Sequence, residues 1–184
     1  MAPKRSMQIT LLLCSFVIPA VGSAQVKYDG GTGDPNDPYL IYTAEQMNAI
    51  GACRDDWDKH LRLMADIDLS AYTGTESNIL GVSWEQPFVG IFDGGGYTIS
   101  NSTWSSSGRD YLGLFGCVGD ETAQIKGLSL ICPRIEVDPD EAVGALVGDL
   151  SGGSITNCYV QDASVSANCY AGGLIGYVYS GKLA

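Results

Sequence analysis

Apolar residues in this chain come in short bursts separated by Gly, Asn, Asp and Ser, and between the bursts no apolar residue recurs at helical spacing. Such a pattern predicts short strands joined by turns. The bursts also repeat. Gly113-Leu114-Phe115-Gly116 returns as Ala145-Leu146-Val147-Gly148 and again as Gly173-Leu174-Ile175-Gly176. Shortly after each copy comes a second echo: Ile125-Lys126-Gly127-Leu128-Ser129-Leu130, then Ile155-Thr156-Asn157-Cys158-Tyr159-Val160, then Leu183. Ile125, Ile155 and Leu183 are 30 and 28 residues apart, a spacing that means stacked units. An earlier copy, Ile99-Ser100-Asn101-Ser102-Thr103-Trp104, aligns 26 residues before Ile125. A third apolar patch follows the second echo, Ile135 and Val137 in one unit and Val165 and Ala167 in the next. Three strands and three turns in about 28 residues make one coil of a parallel β-helix, whose short strands bury an apolar face only by stacking.

The aligned columns take physical roles. Asn101, Gly127 and Asn157 share one column, and Gly and Asn enter the left-handed backbone region most cheaply, so the column reads as a sharp corner. Beyond it, Ser102/Trp104, Leu128/Leu130 and Cys158/Val160 alternate inward. Leu114, Leu146 and Leu174 form a leucine ladder, and the flanking Gly116, Gly148 and Gly176 serve a turn or a close approach of backbones.

Ahead of the repeats, Tyr28 to Tyr42 begins as a Gly/Asp/Pro loop and ends in a short strand. Thr43-Ala44-Glu45-Gln46 is a capping box opening a helix from about Ala44 to Ile50, with Gly51 as its stop. A solenoid needs its first coil covered, and this helix is the candidate cap. His60-Leu61-Arg62-Leu63-Met64 and Ile67-Asp68-Leu69 read as the first strands, and Tyr72 to Pro87 as a segment that loops out. The third unit breaks off at Lys182-Leu183-Ala184, which reads as a fragment of a longer solenoid.

The Gly-Leu-x-Gly copies resemble the GLUG motif, and Phe88-Val89-Gly90-Ile91-Phe92-Asp93-Gly94-Gly95-Gly96-Tyr97-Thr98-Ile99 resembles the opening segment that precedes such repeats. That family occurs in large secreted or surface bacterial proteins and has no common catalytic residues. The resemblance covers roughly residues 66–184 and implies a right-handed parallel β-helix (solenoid); with the capping helix read from Thr43 and Gln46, the expected fold is all-β, a solenoid with a short N-terminal capping helix. The expected division is a signal peptide at 1–24, an N-terminal cap at 25–65, and GLUG coils at 66–184, truncated at the C-terminus.

Composition adds export and charge. Lys4 and Arg5 precede an apolar run from Ile9 to Val21, and Gly22-Ser23-Ala24 offers small residues for cleavage before Gln25. The run is shorter than the roughly 20 residues of a spanning helix. The expected location is therefore secreted or cell-surface. Without that segment, eight Lys plus Arg face twenty-one Asp plus Glu, a net charge of −13. That disfavours nucleic acid and anionic membranes as partners.

Candidate chemistry is thin. The Asp-rich stretches Asp29 to Asp37 and Asp138-Pro139-Asp140-Glu141 offer oxygens to calcium, but neither has EF-hand spacing, so solvated turns are preferred and no cofactor is expected. His60 is the single histidine, and no HExxH, Gly-x-Ser-x-Gly, P-loop or CxxC pattern is present. Asp66 and Asp68 lie two apart on a strand and share a face, a possible acid pair or an ordinary solvent face around buried Ile67. Cys53, Cys117, Cys132, Cys158 and Cys169 remain after cleavage, an odd number that leaves at least one thiol free or intermolecular. Cys158, stacked on Leu128, reads as a small buried hydrophobe. No catalytic, cofactor-binding or metal residue is assigned. The expected function is an exported, non-enzymatic repeat module with a surface, adhesive or structural role, meeting a surface glycan or protein. The alternative is the N-terminal part of a carbohydrate-active β-helix enzyme with its site elsewhere.

Overall fold

The computed structural model describes residues 27–73, 78–106, 110–137 and 142–184. The chain enters through β1 (Tyr39–Ile41), α1 (Ala44–Ala52) and a 3-10 turn at Arg54–Asp56, then β2 (His60–Leu63) and β3 (Ile67–Asp68). Next come β4 (Ile91–Asp93), β5 (Thr98–Ser100), β6 (Thr103–Ser106), β7 (Tyr111–Leu112) and β8 (Phe115–Val118). The same five recur as β9 (Gln124–Lys126), β10 (Ser129–Ile131), β11 (Arg134–Val137), β12 (Ala142–Gly144) and β13 (Val147–Leu150). They recur again as β14 (Ser154–Thr156), β15 (Tyr159–Gln161), β16 (Ser164–Ser166), β17 (Tyr170–Gly172) and β18 (Ile175–Val178), and β19 (Lys182–Leu183) begins another round.

Every strand pairing between named strands is parallel and joins one coil to the next. Five sheets result. The first runs β1-β2-β4-β9-β14-β19 and the second β15-β10-β5-β3; the other three are β16-β11-β6, β17-β12-β7 and β18-β13-β8. The fold is a parallel β-solenoid of about four coils. Its interior is a continuous apolar stack, with an aromatic cluster where Phe115 meets Phe88 and Phe92 edge-on at 5.0 and 5.3 Å.

A coil therefore contains five strands rather than three. The second echo splits at a left-handed residue, Gly127 (φ 61°) or Asn157 (φ 51°), and each Gly-Leu-x-Gly copy lies on a tight bend between two strands. The spacing also placed Ile99 in the wrong column. Ile99 pairs with Ile67 and Leu130, and Leu130 with Val160, whereas Ile125 pairs with Phe92 and Ile155. Asn101 (φ 57°) is a left-handed corner, as expected, but it follows the second sheet, at the position where Cys132 (φ 54°) and Asp162 (φ 53°) stand in later coils. Two different corners with the same backbone demand had been merged into one. The later pairings Ile125–Ile155–Leu183 and Ile135–Val165 are as the sequence predicts.

The cap forms as its sequence indicates. Thr43 Oγ1 accepts from the Gln46 amide at 3.3 Å, and Gln46 Oε1 accepts from the Thr43 amide at 3.2 Å. The helix buries Met47 and Ile50 and lies beside β3, the edge strand of the second sheet, which β1 does not reach. Gly51 does not stop the helix, which continues to Ala52. A Cβ at Gly51 would stand 2.7 Å from the Asn78 carbonyl carbon, so this glycine permits a close crossing of chains. The segment after Tyr72 is likewise more than a loop. Leu80 and Phe88 are fully buried and bridge in parallel to Phe115 and Val118, so the stretch between them leaves the wall and returns to it.

Candidate functional surface

Alternation along β2 sends Leu61 and Leu63 inward and leaves His60 and Arg62 on the outer face of the first sheet. Register then builds two outer rows across the coils, His60–Ile91–Gln124–Ser154–Lys182 and Arg62–Asp93–Lys126–Thr156. The turn at Thr32–Asp37 closes over these rows. The Thr32 and Gly33 amides donate to the Asp37 carbonyl at 2.9 and 3.0 Å, and the His60 amide donates to Gly33 at 2.9 Å, pinning the loop to β2. Between loop and sheet lies a cleft of about 240 Å³ lined chiefly by Asn36, His60, Arg62, Ile91, Asp93 and Lys126. Asp93 Oδ2 stands 3.7 Å from Lys126 Nζ, while its Oδ1 accepts from the Gly95 amide at 2.9 Å.

Asp66 and Asp68 both face solvent, and both are engaged in joining coils. Asp66 accepts from the Thr98 amide at 2.8 Å, and Asp68 accepts from Asn101 Nδ2 at 3.0 Å and from the Ser70 amide at 2.9 Å. The Asn101 and Ser70 bonds hold Asp68 below the usual carboxylate range. Asp29 accepts from Gln46 Nε2, and Asp34 from Thr32 Oγ1. Among the described residues no three His, Cys, Asp or Glu side chains converge as metal ligands would. The Asp138–Glu141 stretch and the expected export signal lie outside the described residues.

Among the described residues Cys53, Cys117, Cys132, Cys158 and Cys169 are all unpaired thiols. Cys158 is half-buried and sits level with Leu128 in the next coil, as expected. Cys117 is fully buried; burial, with the Asp149 charge beside it, pushes its thiol up to about 12, so it is an inert filler of space. Asp149, next to it across the ladder, is also buried, and its own burial raises its carboxyl even though the Ser151 hydroxyl donates to Oδ1.

The Leu114–Leu146–Leu174 ladder is present. Amide-to-carbonyl bonds tie Phe115 to Leu146 and Leu146 to Leu174; Leu114 and Leu146 are buried and Leu174 packs on the same core. The glycines that close each copy serve close approach. A Cβ at Gly148 would lie 2.6 Å from the Gly116 oxygen and 2.8 Å from the Leu112 nitrogen; one at Gly176 would lie 2.5 Å from the Val143 nitrogen. The fourth and fifth sheets thus touch backbone to backbone. Sequence reading missed a degenerate earlier copy, Ile79-Leu80-Gly81, which bonds along β8; its signal was Gly81, whose oxygen a Cβ on Gly116 would meet at 2.4 Å. It also missed Trp84, 68% exposed on the tip between Leu80 and Phe88.

Comparison with known proteins agrees with this architecture. Residues 140–166 match the GLUG motif. The chain is 35% identical over 176 residues to a proposed Gly-rich membrane protein of Evansella cellulosilytica, covering 86% of this chain and 19% of that protein. It is 35% identical over 163 residues to halomucin of Haloquadratum walsbyi, covering 84% of this chain and 2% of halomucin. The chain therefore spans a fifth or less of these relatives. A crystal structure of a proposed immunoglobulin A1 protease from Bacteroides ovatus superposes with a TM-score of 0.53 at 18% identity, over 85% of this chain and 67% of that one, a likeness of fold alone. Among the described residues no helix is long and apolar enough to cross a membrane, which says nothing of membrane β-barrels. The GLUG match at residues 140–166 thus lies within a parallel β-solenoid, where Ala145-Leu146-Val147-Gly148 stands in register between the Gly113–Gly116 and Gly173–Gly176 copies.

Proposed function

We propose that this chain is an exported, surface-associated solenoid module that is not an enzyme and serves adhesion or spacing outside the cell. The observation that carries this reading is the use of its polar groups. The acids best placed for catalysis, Asp66 and Asp68, accept hydrogen bonds that fasten one coil to the next or close a turn, and the interior columns are almost wholly apolar. The names of the two relatives, a membrane protein and halomucin, support a surface setting. The stacked coils supply a long, regular outer face suited to contact or extension.

The test has two parts. Protease treatment of intact producing cells should remove the protein, and secreted or released material should begin at Gln25 by mass spectrometry. Purified full chain incubated with polysaccharides and with immunoglobulin A should generate no new reducing ends, no unsaturated sugars and no cleaved heavy chain. Turnover of any of these would replace the reading with the enzymatic one; an intact leader confined to the cytoplasm would remove the surface assignment.

A further inference from the structure

We propose that the cleft under the Thr32–Asp37 turn binds a uronate, a sugar ring bearing a single carboxylate. The inference rests on the surface reading only for where such a glycan is met; the binding chemistry stands on the cleft itself. Arg62, Asp93 and Lys126 face the same side of three adjacent strands, in register. With neighbouring strands about 4.8 Å apart, the two cations rise from the strands on either side of the one that carries the carboxylate. Lys126 has only the 3.7 Å contact with Asp93, and Arg62 has no ion pair among the described residues. A guanidinium without a partner at the wall of a cleft is a fork suited to a carboxylate.

Three features narrow the ligand. Asp93 is held in place by the Gly95 amide and Asn36 lines the opposite wall, so the cleft offers acceptors for hydroxyls as well as donors for an acid. A fixed carboxylate between the cations, in a chain of net charge −11, opposes phosphates, polyanions and acidic peptides and tolerates one negative charge. Among the described residues no Phe, Tyr or Trp ring lines the cleft to stack on a neutral sugar, and its 240 Å³ falls below the roughly 300 Å³ at which drug-sized sites begin. One charged ring satisfies all three conditions.

Calorimetric titration of the full chain with galacturonate, galactose and an Asp-Glu dipeptide tests this. Galacturonate should bind saturably, and galactose and the dipeptide at least about tenfold more weakly, the factor one charge-assisted contact supplies. Arg62→Ala and, separately, Lys126→Ala should each weaken galacturonate about tenfold with thermal unfolding unchanged, since both side chains lie on the outer face. Absence of saturable galacturonate binding, equal binding of galactose or of the dipeptide, or full affinity in Arg62→Ala would overturn the proposal. A protein found on the cell surface that ignores galacturonate would defeat this inference and leave the surface reading standing.

Discussion

In β9 only Ile125 is buried, while Gln124 and Lys126 turn outward; in β13 Val147, Gly148, Asp149 and Leu150 are all buried. These strands belong to the same coil and bury their residues by different means. The first sheet is a single wall, with side chains filling the core on one face and solvent on the other, so alternation holds. The fourth and fifth sheets form a double wall, in which glycine replaces side chains where backbone meets backbone, and in the coil of β12 and β13 no face is left for solvent. The single wall is free to vary its outer rows, and there the cleft residues stand. The double wall has no such freedom, which is a physical reason for the motif to lie there.

The sharpest way to break this contrast is a charge in each wall. Leu146→Asp buries an unpaired carboxylate and should cost about 4–5 kcal/mol or abolish folding, whereas Gln124→Asp on the outer row should stay within about 0.5 kcal/mol, both read by urea unfolding. Equal tolerance would mean the double wall is not core. A smaller perturbation follows from the glycines. Gly148→Ala forces a Cβ into two backbones and should cost roughly 3 kcal/mol, but Gly173→Ala, whose Cβ would meet nothing within 4 Å, should change stability by no more than about 0.5 kcal/mol. Similar losses from both would show that the motif glycines act through flexibility rather than contact.

The smallest effects concern pH and have opposite signs. The raised carboxyl of Asp149 contributes stability that is full below its ordinary value of 3.8 and is lost as pH rises through its folded value. Asp149→Asn should therefore raise the melting temperature at neutral pH, with the gain shrinking as the solution is acidified. Asp68, held low by Asn101 and Ser70, contributes stability present above 3.8 and lost as pH falls through its folded value. Asp68→Ala should lower the melting temperature slightly at neutral pH and have no effect in strong acid. Melting curves of both variants across pH distinguish a buried acid of the double wall from an exposed one of the second sheet; parallel pH profiles would contradict the assignment.

Much of the solenoid was readable from the residues because stacking imposes the same local demand once per coil. Leu114, Leu146 and Leu174 recur since each must fill the same slice of core, and Asn101, Gly127 and Asn157 were recognisable as left-handed corners since few residue types enter that region cheaply. Thr43 and Gln46 announced the helix start because a capping box is wholly local. What the sequence could not decide was which corner was which. Asn101 and Gly127 satisfy identical backbone geometry, and only the hydrogen bonds between coils assign them to different edges of the solenoid. Nor could it show that Gly51, Gly148 and Gly176 answer to a neighbouring chain rather than to a turn, since a glycine carries no mark of the backbone pressed against it. The cleft lay hidden for the same reason. Arg62, Asp93 and Lys126 are about 30 residues apart in sequence, and only parallel pairing over successive coils, where strand spacing shrinks to about 4.8 Å, brings them into one row.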